Sequence, residues 1–157
     1  MKKIFILFLP LLLSCTHKET EPHPTELNLT VDEKLIEKVC LGYLEGFYEG
    51  DTLKILDNIQ PRLHKFGFWK NDSGKYELDS YMTFEQAKNY ARNVRENEDY
   101  AGENSSKKVE VLDIMNHIAS AKVTAWWGVD YILLSKSGDK WMIEQVLWEG
   151  PLESMEQ

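Results

Sequence analysis

Two cysteines in 157 residues cannot build the disulfide framework on which small secreted domains rely, and no Cys/His spacing matches a structural zinc site. Positive charge is scarce: 18 Lys and Arg stand against 26 Asp and Glu, and no basic stripe offsets the formal charge of −8. That balance argues against a nucleic-acid partner, whose phosphates need a cationic surface. No apolar run reaches the ~20 residues that a membrane-spanning helix requires. There is no G-x-S-x-G, no phosphate-cradling Gly-rich loop, no H-E-x-x-H and no dinucleotide fingerprint, so neither a cofactor nor a metal is expected. No internal repeat or heptad is visible. What is present, 43% hydrophobic and 28% charged residues, suits one domain with a real core.

The chain begins with an address. Lys2 and Lys3 precede an apolar run, Ile4 to Leu13, interrupted only by Pro10, and the small Ser14 stands before Cys15; this is the layout of a signal peptide. Leu12-Leu13-Ser14-Cys15 resembles the lipobox of bacterial lipoproteins. The resemblance implies that residues 1–14 are removed and that Cys15 becomes the acylated N-terminus, anchored in the lipid bilayer. Loss of Lys2 and Lys3 takes the formal charge from −8 to −10, and acyl chains hold such an acidic body without a polybasic patch. Thr16 rather than Asp after the cysteine points to the outer membrane of the cell envelope. Residues 15–29 are polar and stiffened by Pro22 and Pro24, a tether in which His17 and His23 have no fixed geometry for a metal.

The body runs from 30 to 152, with a short tail at 153–157. Thr30 and Glu33 form a capping-box pattern, after which Leu35, Ile36, Val39, Cys40, Tyr43 and Phe47 recur at helical spacing until Gly50. Asp51 opens a short helix that Pro61 stops. Leu63 to Trp69 and Tyr76 to Met82 flank the turn residues Asn71 to Gly74, predicting a hairpin. Thr83 and Gln86 repeat the capping box ahead of Phe84, Ala87, Tyr90, Ala91 and Val94. The polar stretch Glu96 to Lys108 reads as a mobile loop. Strands are expected at Val109 to Met115, Ile118 to Trp127, Val129 to Ser135 and Lys140 to Trp148. Apolar residues on both faces of several strands predict that one sheet face takes the helices and the other a partner. Helices first and a curved meander afterwards make an α+β fold.

This order, with Tyr43 to Asp51, Met82 to Glu85, Asp130-Tyr131 and Gly138 to Trp141, resembles the nuclear transport factor 2-like superfamily. Within it the chain is similar to bacterial proteins labelled putative lumazine-binding. The resemblance spans about Val31 to Trp148 and implies a cystatin-like cone: three N-terminal helices packed in a strongly curved, mostly antiparallel sheet, an apolar cavity open at one end, and a homodimer formed through the outer sheet face. Gln60-Pro61-Arg62 departs from the His-Pro-acidic pattern frequent in that group, which weakens any shared catalytic role there.

Tyr43 and Phe47, one helical turn apart on the inner stripe, and Trp69, Trp126 and Trp148 on the strands are the candidate ligand-binding aromatics. Trp127 and Trp141 are expected to face away or to pack below. Asp130, a carboxylate in an apolar strand, must be paired or hydrogen-bonded; it is either a structural acceptor for backbone or a Tyr hydroxyl, or the acid-base group of the site. With His64 it forms the candidate catalytic pair, Tyr43 or Tyr131 acting as donor. Cys40 has no partner and serves as a small core hydrophobe. The leading expectation is a lipid-anchored module that binds a small apolar or aromatic ligand without catalysis. The alternatives are an isomerase-, dehydratase- or cyclase-type enzyme using Asp130 and His64, and a purely structural dimer.

Overall fold

The computed structural model describes residues 25–152 except residue 80, with the backbone alone at 25–30. The leader, Cys15 and the tail 153–157 lie outside the described residues. Three helices, α1 (Thr25–Tyr48), α2 (Thr52–Asn58) and α3 (Phe84–Glu96), accompany six strands, β1 (Ile59–Lys70), β2 (Tyr76–Leu78), β3 (Lys108–Ile114), β4 (Ile118–Ala125), β5 (Gly128–Ser137) and β6 (Lys140–Gly150). Among the described residues no helix is long and apolar enough to cross a membrane.

α1 starts at Thr25, so it runs through Thr30 and the expected cap at 30 is not a boundary. Once a helix is nucleated, each added residue brings one more hydrogen bond, and nothing between Thr25 and Val31 breaks the run. Ile36, Val39, Cys40, Tyr43, Leu44, Phe47 and Tyr48 follow the 3–4 spacing and are buried. The helix ends at Tyr48, and the φ of +65° and missing Cβ of Gly50 let α3 pass: a Cβ there would meet Arg95 N and Ala91 O at 2.6 and 2.7 Å. Asp51 caps α2 by accepting from Leu53 N at 2.9 Å. The Thr83–Gln86 capping box of α3 is fully formed.

The sheet order is β2-β1-β6-β5-β4-β3, antiparallel throughout except for the parallel β1–β6 pair. Pro61 lies inside β1 rather than before it, within an irregular stretch between Ile59 and His64 where its missing N–H breaks no ladder. β2 is shorter than expected: pairing stops after Leu78, and Met82 rejoins β1 through a bridge to Lys65. In β6 a bulge at Glu144 puts Gln145 opposite Leu133 and Ile143 opposite Leu134, which bends the sheet around α1.

β4 turns Ala119, Ala121, Val123 and Ala125 toward the core, and β5 adds Ile132 and Leu134. At one end the cone is closed by Trp141, which is 1% exposed. Its indole N–H donates to Asp32 at 3.0 Å, and Lys136 Nζ reaches the same carboxylate at 2.7 Å. The segment between α3 and β3, expected to be mobile, is tied to α1: Tyr48 Oη donates to Ser106 O at 2.5 Å and Ala101 N to Tyr48 O at 3.1 Å.

β1 and β6 approach each other closely at Gly67. A Cβ on Gly67 would lie 2.2 Å from Trp148 O and 2.5 Å from its ring carbons. Gly67→Ala is therefore expected to destabilise the chain by at least ~2 kcal/mol through overpacking, lowering Tm by roughly 5 °C or more. An unchanged midpoint in urea and in heat would show that β1 and β6 are not pressed together as described.

Candidate functional site

Opposite the closed end the sheet and helices leave a cavity of about 450 Å3, lined by Phe47, Lys65, Trp69, Asp79, Met82, Tyr90, Trp126, Trp127 and Trp148. Its walls come from α1, α3, β1, β6, the β4–β5 turn and the connection between β2 and α3. Trp69 and Trp148 meet at 6.1 Å between ring centroids, and Trp126 and Trp127 at 5.6 Å in an edge-to-face pair. The two pairs line one hollow rather than closing into a single stack. Trp69 and Trp126 are each 39% exposed, which puts them at the rim.

Set into this wall is a largely buried polar cluster. Asp130 is 0% exposed, and an ionised carboxylate there is tolerable only if its lost water is replaced by donors. Three groups supply them. Tyr43 Oη donates to Oδ2 at 2.5 Å, Lys65 Nζ to the same oxygen at 3.3 Å, and Trp127 Nε1 to Oδ1 at 2.8 Å. Lys65 Nζ also donates to Tyr43 Oη at 2.9 Å. The ammonium sits 5.4 to 5.6 Å from the ring centroids of Tyr43, Trp127 and Trp148, a geometry in which the negative ring faces favour the charge.

Burial holds the Lys65 ammonium below the usual lysine range, and the Asp130 charge opposes that shift. Burial also pushes the Tyr43 hydroxyl well above the ordinary tyrosine value, helped by the Asp130 charge and hydrogen bond. Cys40, deeply buried on the same helix, is pushed up to about 12 by desolvation and by Asp130, which leaves it without thiolate character near neutral pH.

Of the expected ligand-binding residues, Phe47, Trp69, Trp126 and Trp148 line the cavity. Tyr43 and Asp130 are fully buried and support the wall through Lys65 and Trp127. The expected pair of His64 with Asp130 does not assemble. Successive side chains on a strand alternate between faces; Leu63, Lys65 and Gly67 are buried, and His64 is exposed on the other face, stacked on Tyr81 at 5.0 Å. Lys65 takes the place assigned to His64. Trp127, expected to face away or to pack below, is swung by the β4–β5 turn into the cavity wall, edge-on to Tyr43, Phe47 and Tyr48. Tyr131 lies exposed on the outer sheet face and cannot donate into the cavity. Among the described residues no group of His, Cys, Asp and Glu could hold a metal ion.

Three helices enclosed by a curved six-stranded sheet with a cavity at the open end define a nuclear transport factor 2-like fold. The profile of the family described as "Putative lumazine-binding" matches residues 31–149, and the chain belongs to that family. Solved structures agree on the fold. A nuclear transport factor 2-like protein of unknown function from Shewanella baltica is 17% identical with a TM-score of 0.58, covering 78% of this chain and 97% of its own. One from Methylobacillus flagellatus is 18% identical with a TM-score of 0.58, covering 76% and 91%. A ketosteroid isomerase-like protein from Erwinia carotovora atroseptica is 15% identical with a TM-score of 0.51, covering 75% and 96%. No curated protein matches the chain.

A tyrosine whose folded pKa is raised keeps its proton while the unfolded chain loses it, so its stabilising contribution is complete below about pH 10 and is lost as pH rises. The check is an alkaline titration followed by ultraviolet absorbance. Tyr43 should ionise only with unfolding, so wild type and Tyr43→Phe give the same folded-state amplitude. One extra tyrosine titrating in folded wild type would contradict this.

Proposed function

We propose that this chain is a membrane-tethered binding module whose cone takes a small, flat, apolar or aromatic molecule without transforming it. The observation that carries the reading is the tryptophan-walled hollow of about 450 Å3, a volume and lining suited to a small ligand. The family description points the same way. Proton transfer is disfavoured because Asp130 spends both oxygens on Tyr43, Lys65 and Trp127 and lies behind the wall, while His64 faces outward. Burying ~200 Å2 of apolar ligand would contribute about 5 kcal/mol before entropic costs, hence affinities in the micromolar-to-millimolar range.

Anchoring through acylated Cys15 in the outer membrane rests on the leader pattern and the lipobox resemblance. Dimerisation through the outer sheet face rests on the exposed Phe68, Tyr131, Leu133 and Leu147, an apolar surface of the kind that partners cover.

The direct test titrates the mature domain with flat aromatic compounds while following tryptophan fluorescence. Saturable quenching is expected, weakened severalfold in Trp126→Ala and Trp69→Ala. Linear, non-saturating quenching that both variants share would refute a binding cavity. The anchor is read on the full chain by incorporation of an alkynyl fatty acid, expected in wild type and lost in Cys15→Ala; label retained in that variant would refute acylation at Cys15.

A further inference from the structure

Beyond size and apolarity, the cavity carries one built polar feature. Lys65 is the only cation among its lining residues, and its side chain is 8% exposed. An ammonium has three donors. Two point to Tyr43 Oη and Asp130 Oδ2, and the three flanking rings together with Asp130 hold the head group in one place. A pre-positioned donor in a dry, aromatic setting is worth more than the same donor in water, because no reorganisation is needed when an acceptor arrives.

The sign of the local charge narrows the acceptor further. Asp130 already neutralises Lys65. An incoming carboxylate would shed its hydration for a single donor and no net positive charge, and it would also meet Asp79, which lines the same cavity and whose charge acts on Lys65. A carbonyl oxygen on an uncharged ring needs only the one donor and loses little water. We propose that Lys65 is the polar anchor of the cavity and selects a flat, uncharged aromatic ring bearing a carbonyl oxygen directed at Nζ. The inference rests on the binding reading given above and refines it to a ligand class: the rings of Trp127 and Trp148 flank the ammonium and the body of the ligand, and Lys65 fixes which edge points inward.

Three probes of similar size separate the possibilities: naphthalene, which is apolar; coumarin, a neutral lactone; and 2-naphthoate, a carboxylate. With the full chain, coumarin is expected to bind about tenfold tighter than naphthalene, the effect of one hydrogen bond to a charged donor, and tighter than 2-naphthoate. Lys65→Met alone would strand the Asp130 charge, so the comparison uses Lys65→Met combined with Asp130→Asn, its fold checked by circular dichroism. In that variant the ratio of coumarin to naphthalene affinity should fall to about one, whatever happens to the affinity for naphthalene itself. Independently of any variant, the infrared carbonyl stretch of bound coumarin should move to lower wavenumber. Equal binding of naphthalene and coumarin, tightest binding by 2-naphthoate, a preference that survives the double substitution, or an unshifted carbonyl band would each overturn the anchor and leave the cavity reading intact. Failure of all three probes to bind would instead overturn the cavity reading on which the anchor depends.

Discussion

A carboxylate with no exposure is the constraint around which this domain is arranged. Asp130 sits in β5 among Ile132, Leu134 and the aromatic residues of α1, where an unpaired charge would cost several kcal/mol. The structure meets that cost with three donors from three different elements: Tyr43 from α1, Lys65 from β1 and Trp127 from the β4–β5 turn. Each donor is thereby fixed in position. Tyr43 ties the long helix to the sheet, Trp127 is held edge-on as cavity wall, and Lys65 is kept inside a strand that would otherwise have turned an apolar side chain inward. The polar cluster and the hollow are two sides of one wall.

The rest of the fold serves that arrangement at a distance. The closed end repeats the same solution in a more exposed form, with Asp32 accepting from Trp141 and Lys136 and so joining the N-terminal half of α1 to β5 and β6. Glycines appear where strands must come closest: Gly67 against Trp148, and Gly128, at φ +149°, against the backbone of Glu149. The β6 bulge supplies curvature, and the small side chains of β4 leave room for the aromatics of α1. Tyr48 then fastens the long α3–β3 connection by accepting from Trp126 N and donating to Ser106 O.

Element order, the α3 capping box, the α1 stripe and the four closing strands were legible because each depends on local chemistry or on a period of 3.6 or 2. The errors lie where that information is insufficient. The start of α1 differs from the expected cap because a capping pattern inside a continuing helix looks like a cap at its beginning. The segment from Glu96 to Lys108 has no apolar period, yet it is held by hydrogen bonds to Tyr48 that no local pattern announces. Lys65 is legible in the strand period: counting back by twos from Trp69 puts Lys65 and Leu63 on the inner face and His64 outside. Trp127 was harder, because residues 126 and 127 form the turn itself, where alternation lapses and only the tertiary partner Asp130 decides the direction.

If the buried carboxylate and the inward lysine truly depend on one another, their contributions to stability cannot be independent. A double-mutant cycle in urea, comparing Asp130→Asn, Lys65→Met and the combined variant with wild type, measures that dependence directly. Each single variant is expected to lose ~3 kcal/mol or more by stranding its partner. The combined variant should lose clearly less than the sum, giving a coupling of roughly 2 kcal/mol. Additive losses, or single variants as stable as wild type, would contradict the claim that this buried pair holds the cavity wall in place.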